Sequence, residues 1–367
     1  MKLAYGITAA RAFIVQMIYF FLPIFLKDIG MNGYQIGILM GAVTITGLLT
    51  IFPIGILNDR LKSKKLLAIS FIFLALFYLG ITIAKSFIIL IFVFLALGAA
   101  NTLSRTSMDT LIFKTKKSNK DLGKYKFAGM IATAAGMLIG AFLLSKFDFS
   151  TAFILAGIIS IILTFVCNKL PSTTTEIVSL LEYKTRFMKK DVILFTIVFF
   201  LSAIHWGAES TSYTLFLKTN LGLGFTDIGW FMAVPVIFLG LTALKVSHIL
   251  DAKPDFRKLL VLGLFLSGIG HITMTYPNIL TSFISRIIHE IGDGIVLLIM
   301  MFGMTKLFHV SKIGGLSALF SLITMIAAFI GALIFGPIGE NFGYHVPLIA
   351  TGIISLIAIP FVQYKKI

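Results

Sequence analysis

The 367 residues are 58% hydrophobic and 13% charged, with a mean hydropathy of +1.01. A soluble domain carries about 25% charged and 45–50% apolar residues, so an ordinary soluble fold is excluded and disorder more firmly still. The net charge of +16 does not point to nucleic acid, because the basic residues fall in short gaps between long apolar runs, and the single cysteine, Cys167, excludes a disulfide framework or a thiolate metal cluster.

A helix crossing a bilayer needs about 20 mostly apolar residues. In chain order, twelve such runs are predicted: 4–26, 34–57, 66–84, 87–109, 125–145, 150–168, 191–217, 225–249, 258–276, 278–304, 313–336 and 343–364. The connections are short, and none has room for a soluble domain. The first run contains Arg11 and has no small-residue cleavage site, so it is not expected to be a removable signal peptide. The class is therefore all-α and polytopic. With both termini placed inside, twenty-three lysines and arginines fall on the inner side, including the cluster from Lys114 to Lys126. Only Lys27, Lys85, Lys146 and Lys218 fall outside. That bias predicts cytoplasmic termini, and the expected location is the plasma membrane.

The longest connection, 169–190, is mixed polar and basic and reads as a linker between two six-span halves, 1–168 and 191–367. Internal repetition supports this. Phe25-Leu26-Lys27 recurs as Phe216-Leu217-Lys218, Ile36-Gly37 as Ile228-Gly229, Gly140-Ala141 as Gly331-Ala332, and Gly157-Ile158-Ile159-Ser160 as Gly352-Ile353-Ile354-Ser355. The matches keep their order at offsets of 191–195. Six spans per half preserve orientation, so the repeats are parallel.

Between the second and third spans stands Gly55-Ile-Leu-Asn-Asp59-Arg60-Leu-Lys62-Ser-Lys64-Lys65. This resembles the G-x-x-x-D-R-x-G-x-[RK]-[RK] signature of the major facilitator superfamily, with Lys62 in place of the second glycine. A relic, Ser247-His-Ile-Leu-Asp251, stands at the matching place in the second half without the arginine. The resemblance covers the whole chain but does not reach a substrate. It implies a transporter whose cavity is lined mainly by spans 1, 4, 7 and 10. It also implies a cytoplasmic latch involving Gly55, Asp59 and Arg60, and Asp109 is the candidate for the acidic residue that family members often place at the inner end of span 4. Asp59 is expected to face the N-terminus of span 11, around Ser311 to Gly315, where the helix dipole favours an anion. Small-residue stripes at Gly33, Gly37 and Gly41 and at Ala132, Gly136 and Gly140 suit close helix packing. Gly140 is followed by alanine, so the Gly-Pro marker of some drug antiporters in the family is missing.

Seven charged residues are singled out as lying away from the span ends or just inside them: Arg11, Arg105, Asp109, Glu209, Arg286, Glu290 and Asp293. Each would cost about 2.5–3.5 kcal/mol at the bilayer centre, so they must face one another or water. All seven fall on spans 1, 4, 7 and 10. On span 10, Arg286, Glu290 and Asp293 form one stripe with His289 beside it. On span 7, His205, Glu209, Ser212 and Phe216 form another. Arg286 is expected to pair with Glu209, or locally with Glu290. In the first case Glu290 is left near Asp293 and becomes a candidate proton carrier, with Asp293, Glu209, His289 and His205 as further candidates. A static ion-pair cluster is the competing reading. Arg11, Gln16, Arg105, Trp206, Tyr213 and Arg286 are candidates for the cavity wall; Arg11 could instead pair with Asp109.

The expected function is secondary active transport of a small molecule by alternating access, as proton-coupled efflux of amphipathic compounds. The alternatives are proton-coupled uptake of a sugar or organic acid and, from another class, a non-transporting receptor or scaffold. His289-Glu290 followed by Asp293 only superficially matches the H-E-x-x-H zinc pattern. No enzymatic activity, metal or cofactor is expected. The expected partners are the substrate, protons and the bilayer, with the chain acting as a monomer and binding no nucleic acid.

Overall fold

Long apolar segments broken by basic or Gly/Pro turns can satisfy their backbone in a membrane only as helices. A computed structural model of the chain describes residues 1–19, 21–31, 33–84, 86–252 and 255–363. Lys85, Lys253, Lys365 and Lys366, used above for orientation, lie outside the described residues.

The helices are α1 Lys2–Tyr19, α2 Leu22–Asp28, α3 Gly33–Arg60, α4 Ser63–Ile83, α5 Phe87–Thr115, α6 Asn119–Lys146, α7 Phe149–Val166, α8 Leu180–Phe187, α9 Lys190–Thr219, α10 Phe225–Asp251, α11 Phe256–Thr273, α12 Ile279–Leu307, α13 Ile313–Phe342, α14 His345–Ile357 and α15 Ile359–Gln363. Among the described residues, eleven helical stretches are long and apolar enough to cross a membrane. The first expected span is divided into α1 and α2, and Pro23, near the start of α2, has no N–H to offer the carbonyl of Tyr19. The last expected span is divided into α14 and α15, with Pro360 at the start of α15. Leu49, Ile83, Phe92 and Phe165 are exposed on the spans, as lipid contact requires.

Several starts carry side-chain caps: Ser86 accepts from the Ile89 amide, Asp148 from Thr151 and Asp255 from Arg257. The turn between α3 and α4 explains the departure from the family signature. Lys62 there is extended, with φ −64° and ψ 119°, a conformation that needs no glycine. The linker holds an unforeseen short helix, α8, and its residues Thr173, Val178 and Tyr183 are buried.

The chain forms two compact units. The first comprises Met1–Lys116, Ala132–Tyr183 and Phe308–Leu319; the second comprises Lys117–Ile131, Lys184–Leu307 and the chain from Phe320 onward. Both α6 and α13 thus contribute to each unit. In the first, α5 packs on α3 and α4, and α4 on α7; in the second, α12 packs on α10 and α11, and α14 on α9 and α11. The α6 stripe does bring helices close. A Cβ at Gly136 would stand 2.6 Å from the Phe13 carbonyl oxygen of α1. Gly41, by contrast, has open space around it among the described residues.

Candidate functional site

The second unit contains a buried polar cluster built from four helices. On α12, Arg286, His289, Glu290 and Asp293 recur at helical spacing on one face, and all four are buried. On α9, His205, Trp206, Glu209 and Tyr213 also recur at helical spacing, His205 and Tyr213 buried and Trp206 and Glu209 half-buried. The helices approach because small residues leave room. A Cβ on Gly270 of α11 would lie 2.6 Å from the His289 amide nitrogen of α12, and one on Gly292 of α12 would lie 2.7 Å from the Gly263 carbonyl oxygen of α11.

Arg286 meets both of its expected partners at once. Its Nη1 binds Glu209, and its Nη2 lies 2.6 Å from Glu290 Oε1. The planar guanidinium presents donors on two edges, so one arginine serves two carboxylates. This corrects the expectation that Glu290 would be left beside Asp293 once Glu209 took Arg286. Tyr213, buried, lies under the same arginine with the guanidinium carbon 4.5 Å from its ring centroid, a cation–π contact.

Asp293 sits among donors. Its Oδ1 accepts from Ser267 Oγ at 2.6 Å, and its Oδ2 lies 3.1 Å from His205 Nε2 and accepts from Trp206 Nε1 at 3.2 Å. His289 Nε2 lies 2.9 Å from Glu209 Oε1, and His271 Nε2 lies 3.6 Å from the same oxygen. The rings of His271 and His289 are stacked 4.8 Å apart, and His205 meets both edge-on. The Nδ1 atom of each ring has a polar neighbour of its own. His205 Nδ1 faces the Ser202 carbonyl, His289 Nδ1 lies 2.8 Å from the Ser267 carbonyl, and His271 Nδ1 lies 3.3 Å from Thr351 Oγ1. Nδ1 of His205 and of His289 must each carry a hydrogen, because a carbonyl can only accept.

Ligand-type atoms of His205, His289 and Asp293 lie within 4.8 Å of one another, close enough to consider a cation. Asp293 already takes hydrogen bonds from a hydroxyl and an indole, which is the pattern of a carboxylate held in a hydrogen-bond network. Sequence reasoning missed His271, Ser267 and Thr351, which lie on spans where no charge drew attention. The i, i+4 pair Ser267 and His271 on α11 was the available signal.

In the first unit, Asp59 is fully enclosed at the end of α3. Its Oδ1 accepts from the Gly314 amide at 2.9 Å and its Oδ2 from the Gly315 amide at 2.7 Å, at the start of α13. Tyr183 of α8 donates to Oδ2 at 3.0 Å, and Lys114 Nζ of α5 lies 3.0 Å from Oδ1 with both side chains inaccessible. Gly55 is required here by close approach, since a Cβ on it would come within 2.6 Å of the Gly314 carbonyl oxygen. Arg60 donates instead to the Val178 carbonyl of the linker at 3.2 Å. Asp109 is half-buried on α5, five residues or about 140° round the helix from Lys114. Burial and the Asp59 charge push the Tyr183 hydroxyl up, which keeps it a donor.

Arg11 of α1 donates to Asn101 Oδ1 at 3.1 Å and to Ser104 Oγ on α5. Gln16 is half-buried, with its Oε1 enclosed and lacking a hydrogen-bond partner among the described residues. Arg105 is exposed and makes no hydrogen bond or ion pair among the described residues. In the second unit, Asp251, the relic of the loop signature, accepts from the Asn119 amide at 2.8 Å at the start of α6, as Asp59 does at the start of α13.

No curated protein matches this chain by sequence. Among solved structures, the chain is similar to the human organic anion transporter MFSD10 (TETRAN), with a TM-score of 0.78 over 99% of each chain at 12% identity. At that identity the likeness shows the fold alone. The family model for the Major Facilitator Superfamily matches residues 4–251 and 195–365. With its all-α polytopic fold and its Gly55–Lys65 loop, the chain belongs to the major facilitator superfamily of membrane transporters.

Proposed function

We propose that this transporter is proton-coupled and that the α9–α11–α12 cluster is where protons load. The observation that carries the reading is the set of imidazole–carboxylate contacts. Three carboxylates, Glu209, Glu290 and Asp293, share the cluster with one guanidinium, Arg286, which pairs with the first two, so two negative charges remain to be balanced in a buried site. Two protons on the imidazoles balance them. With Nδ1–H of His205 and His289 directed at carbonyls, the Nε2 of each lies beside a carboxylate, 3.1 Å from Asp293 and 2.9 Å from Glu209, so a proton added there is held between ring and carboxylate. Loss of a proton therefore favours rearrangement of α9 against α12, the kind of differential contact that links a cation to a conformational equilibrium. Residues 1–168 and 191–367 are the repeats that alternate access, with both termini cytoplasmic.

Efflux of amphipathic compounds is the primary reading of direction and cargo. Uptake of an organic acid is the second, favoured by the exposed, unpaired Arg105 and by the fold shared with an organic anion transporter. The test is reconstitution into liposomes containing a pH-sensitive dye, with sugars, organic anions, nucleosides and lipophilic cations supplied in turn. A cargo that moves protons against its own direction marks antiport, and one that moves them along with it marks symport. His289→Gln is expected to retain exchange of labelled for unlabelled cargo while losing proton movement. Cargo flux indifferent to an imposed pH gradient would refute the coupling.

A further inference from the structure

The charged residues inside the spans do not all find partners. In the second unit Arg286 is taken by Glu209 and Glu290, and Asp293 by Ser267, His205 and Trp206. In the first unit Arg11 is braced by Asn101 and Ser104. Arg105 stands apart. Its side chain is exposed and, among the described residues, it has neither hydrogen bond nor ion pair.

Its place within a span makes an unpartnered charge there notable. Arg105 lies within the span read over 87–109, about 6 Å along the helix from its inner end. The guanidinium must therefore face water or a polar ligand.

The surrounding face is polar and organised. One turn before Arg105 stand Asn101 and Thr102, both half-buried, and one turn after it stands Asp109, which is engaged by a partner of its own. Arg11 reaches this face from α1, fixed on Asn101 and on Ser104, the neighbour of Arg105 in sequence. Two guanidiniums against one carboxylate leave the face positive, and fixed donors around a free guanidinium suit a planar or tetrahedral oxyanion.

We propose that this face of the first unit binds the anionic group of the cargo, a carboxylate, sulfonate or phosphate on a small organic molecule. Arg105 meets the charge and Arg11 is braced alongside it. The inference rests on the chain being a transporter and is independent of the proton reading.

The experiment is thermal unfolding of the purified full chain in a neutral detergent. The probes are aromatic and aliphatic carboxylates, sulfonates and sugar phosphates, each paired with its neutral amide or unphosphorylated form. A short-chain phosphatidylglycerol forms a separate arm. At least one small anion is expected to stabilise the wild type while its neutral partner does not. Arg105→Gln should weaken that anion tenfold or more, Arg105→Lys should retain part of the affinity, and Lys245→Gln should leave it unchanged. Because Arg105 is exposed, unliganded Arg105→Gln is expected to unfold with the wild type. The proposal is overturned by equal anion affinity in Arg105→Gln, by neutral partners binding as well as the anions, or by no small anion binding. It is also overturned if only the lipid binds, since the charge would then serve a headgroup. Flux of a neutral or cationic solute in liposomes would in those cases keep the transporter reading while removing the anion.

Discussion

Replacing Asp59 tests the most heavily bonded side chain in the first unit. Its two oxygens take four donors: the Gly314 and Gly315 amides, Tyr183 Oη and Lys114 Nζ. In Asp59→Asn one oxygen becomes an NH2 group, which sets a donor against donors whichever way the amide is turned, and the buried Lys114 loses its counter-charge. Breaking a buried ion pair from one side costs about 3–5 kcal/mol. If that cost falls on local opening at the start of α13, the Gly314 and Gly315 amides should exchange hydrogen roughly a hundredfold faster or more, at about 1.4 kcal/mol per tenfold. Hydrogen exchange read on a peptide spanning 308–319 measures this. Tyr183→Phe removes one hydrogen bond, worth about 1 kcal/mol, and should accelerate the same amides only several-fold. Asp59→Asn/Lys114→Met removes the stranded ammonium as well and should recover part of the protection. Unchanged exchange in Asp59→Asn, or a double variant no better than the single, would refute the reasoning.

Three further outcomes follow from other contacts. Arg286→Gln should sharply reduce folded protein, read by size exclusion in detergent, because Glu209 and Glu290 are left without their cation; Glu209→Gln/Arg286→Gln should recover part of the yield. Gly136→Val should lower the unfolding temperature, since overpacking costs about 1–3 kcal/mol and its Cβ meets the Phe13 carbonyl, whereas Gly41→Ala, with open space around it, should leave the temperature unchanged. Lys312 together with Ser179 holds the Glu182 carboxyl below its usual range. The contact therefore contributes at neutral pH and is lost only as pH falls through that lowered value. Hydrogen-exchange protection at 310–313, taken relative to the intrinsic rate at each pH, should stay flat down to the ordinary glutamate range and fall below it, and Glu182→Gln should abolish the pH step.

The loop signature led to Asp59 and to the start of α13 because a family pattern and a helix dipole both act locally, and Gly55 followed from the same pattern. Lys114 and Tyr183 did not follow. Each lies far along the chain from Asp59, and a lysine among six in the stretch from Lys114 to Lys126 looks like one more inner-side charge. The in-span charges stood out because a charge is conspicuous in an apolar run. His271, Ser267 and Thr351 did not, because a histidine or hydroxyl inside a span carries no comparable penalty to explain.

By itself the sequence determined that the chain is a bundle of membrane helices and that its charges occupy particular faces of particular spans. Hydropathy is additive along the chain, and helical spacing alone decides which residues share a stripe. Only the tertiary structure decided that Arg286 serves Glu209 and Glu290 together, that three imidazoles gather beside two carboxylates, and that Arg105 has no partner among the described residues. Those outcomes depend on how neighbouring helices are rotated and how closely they approach. Side-chain packing at residues such as Gly270 and Gly292 settles both, and no single helix encodes it.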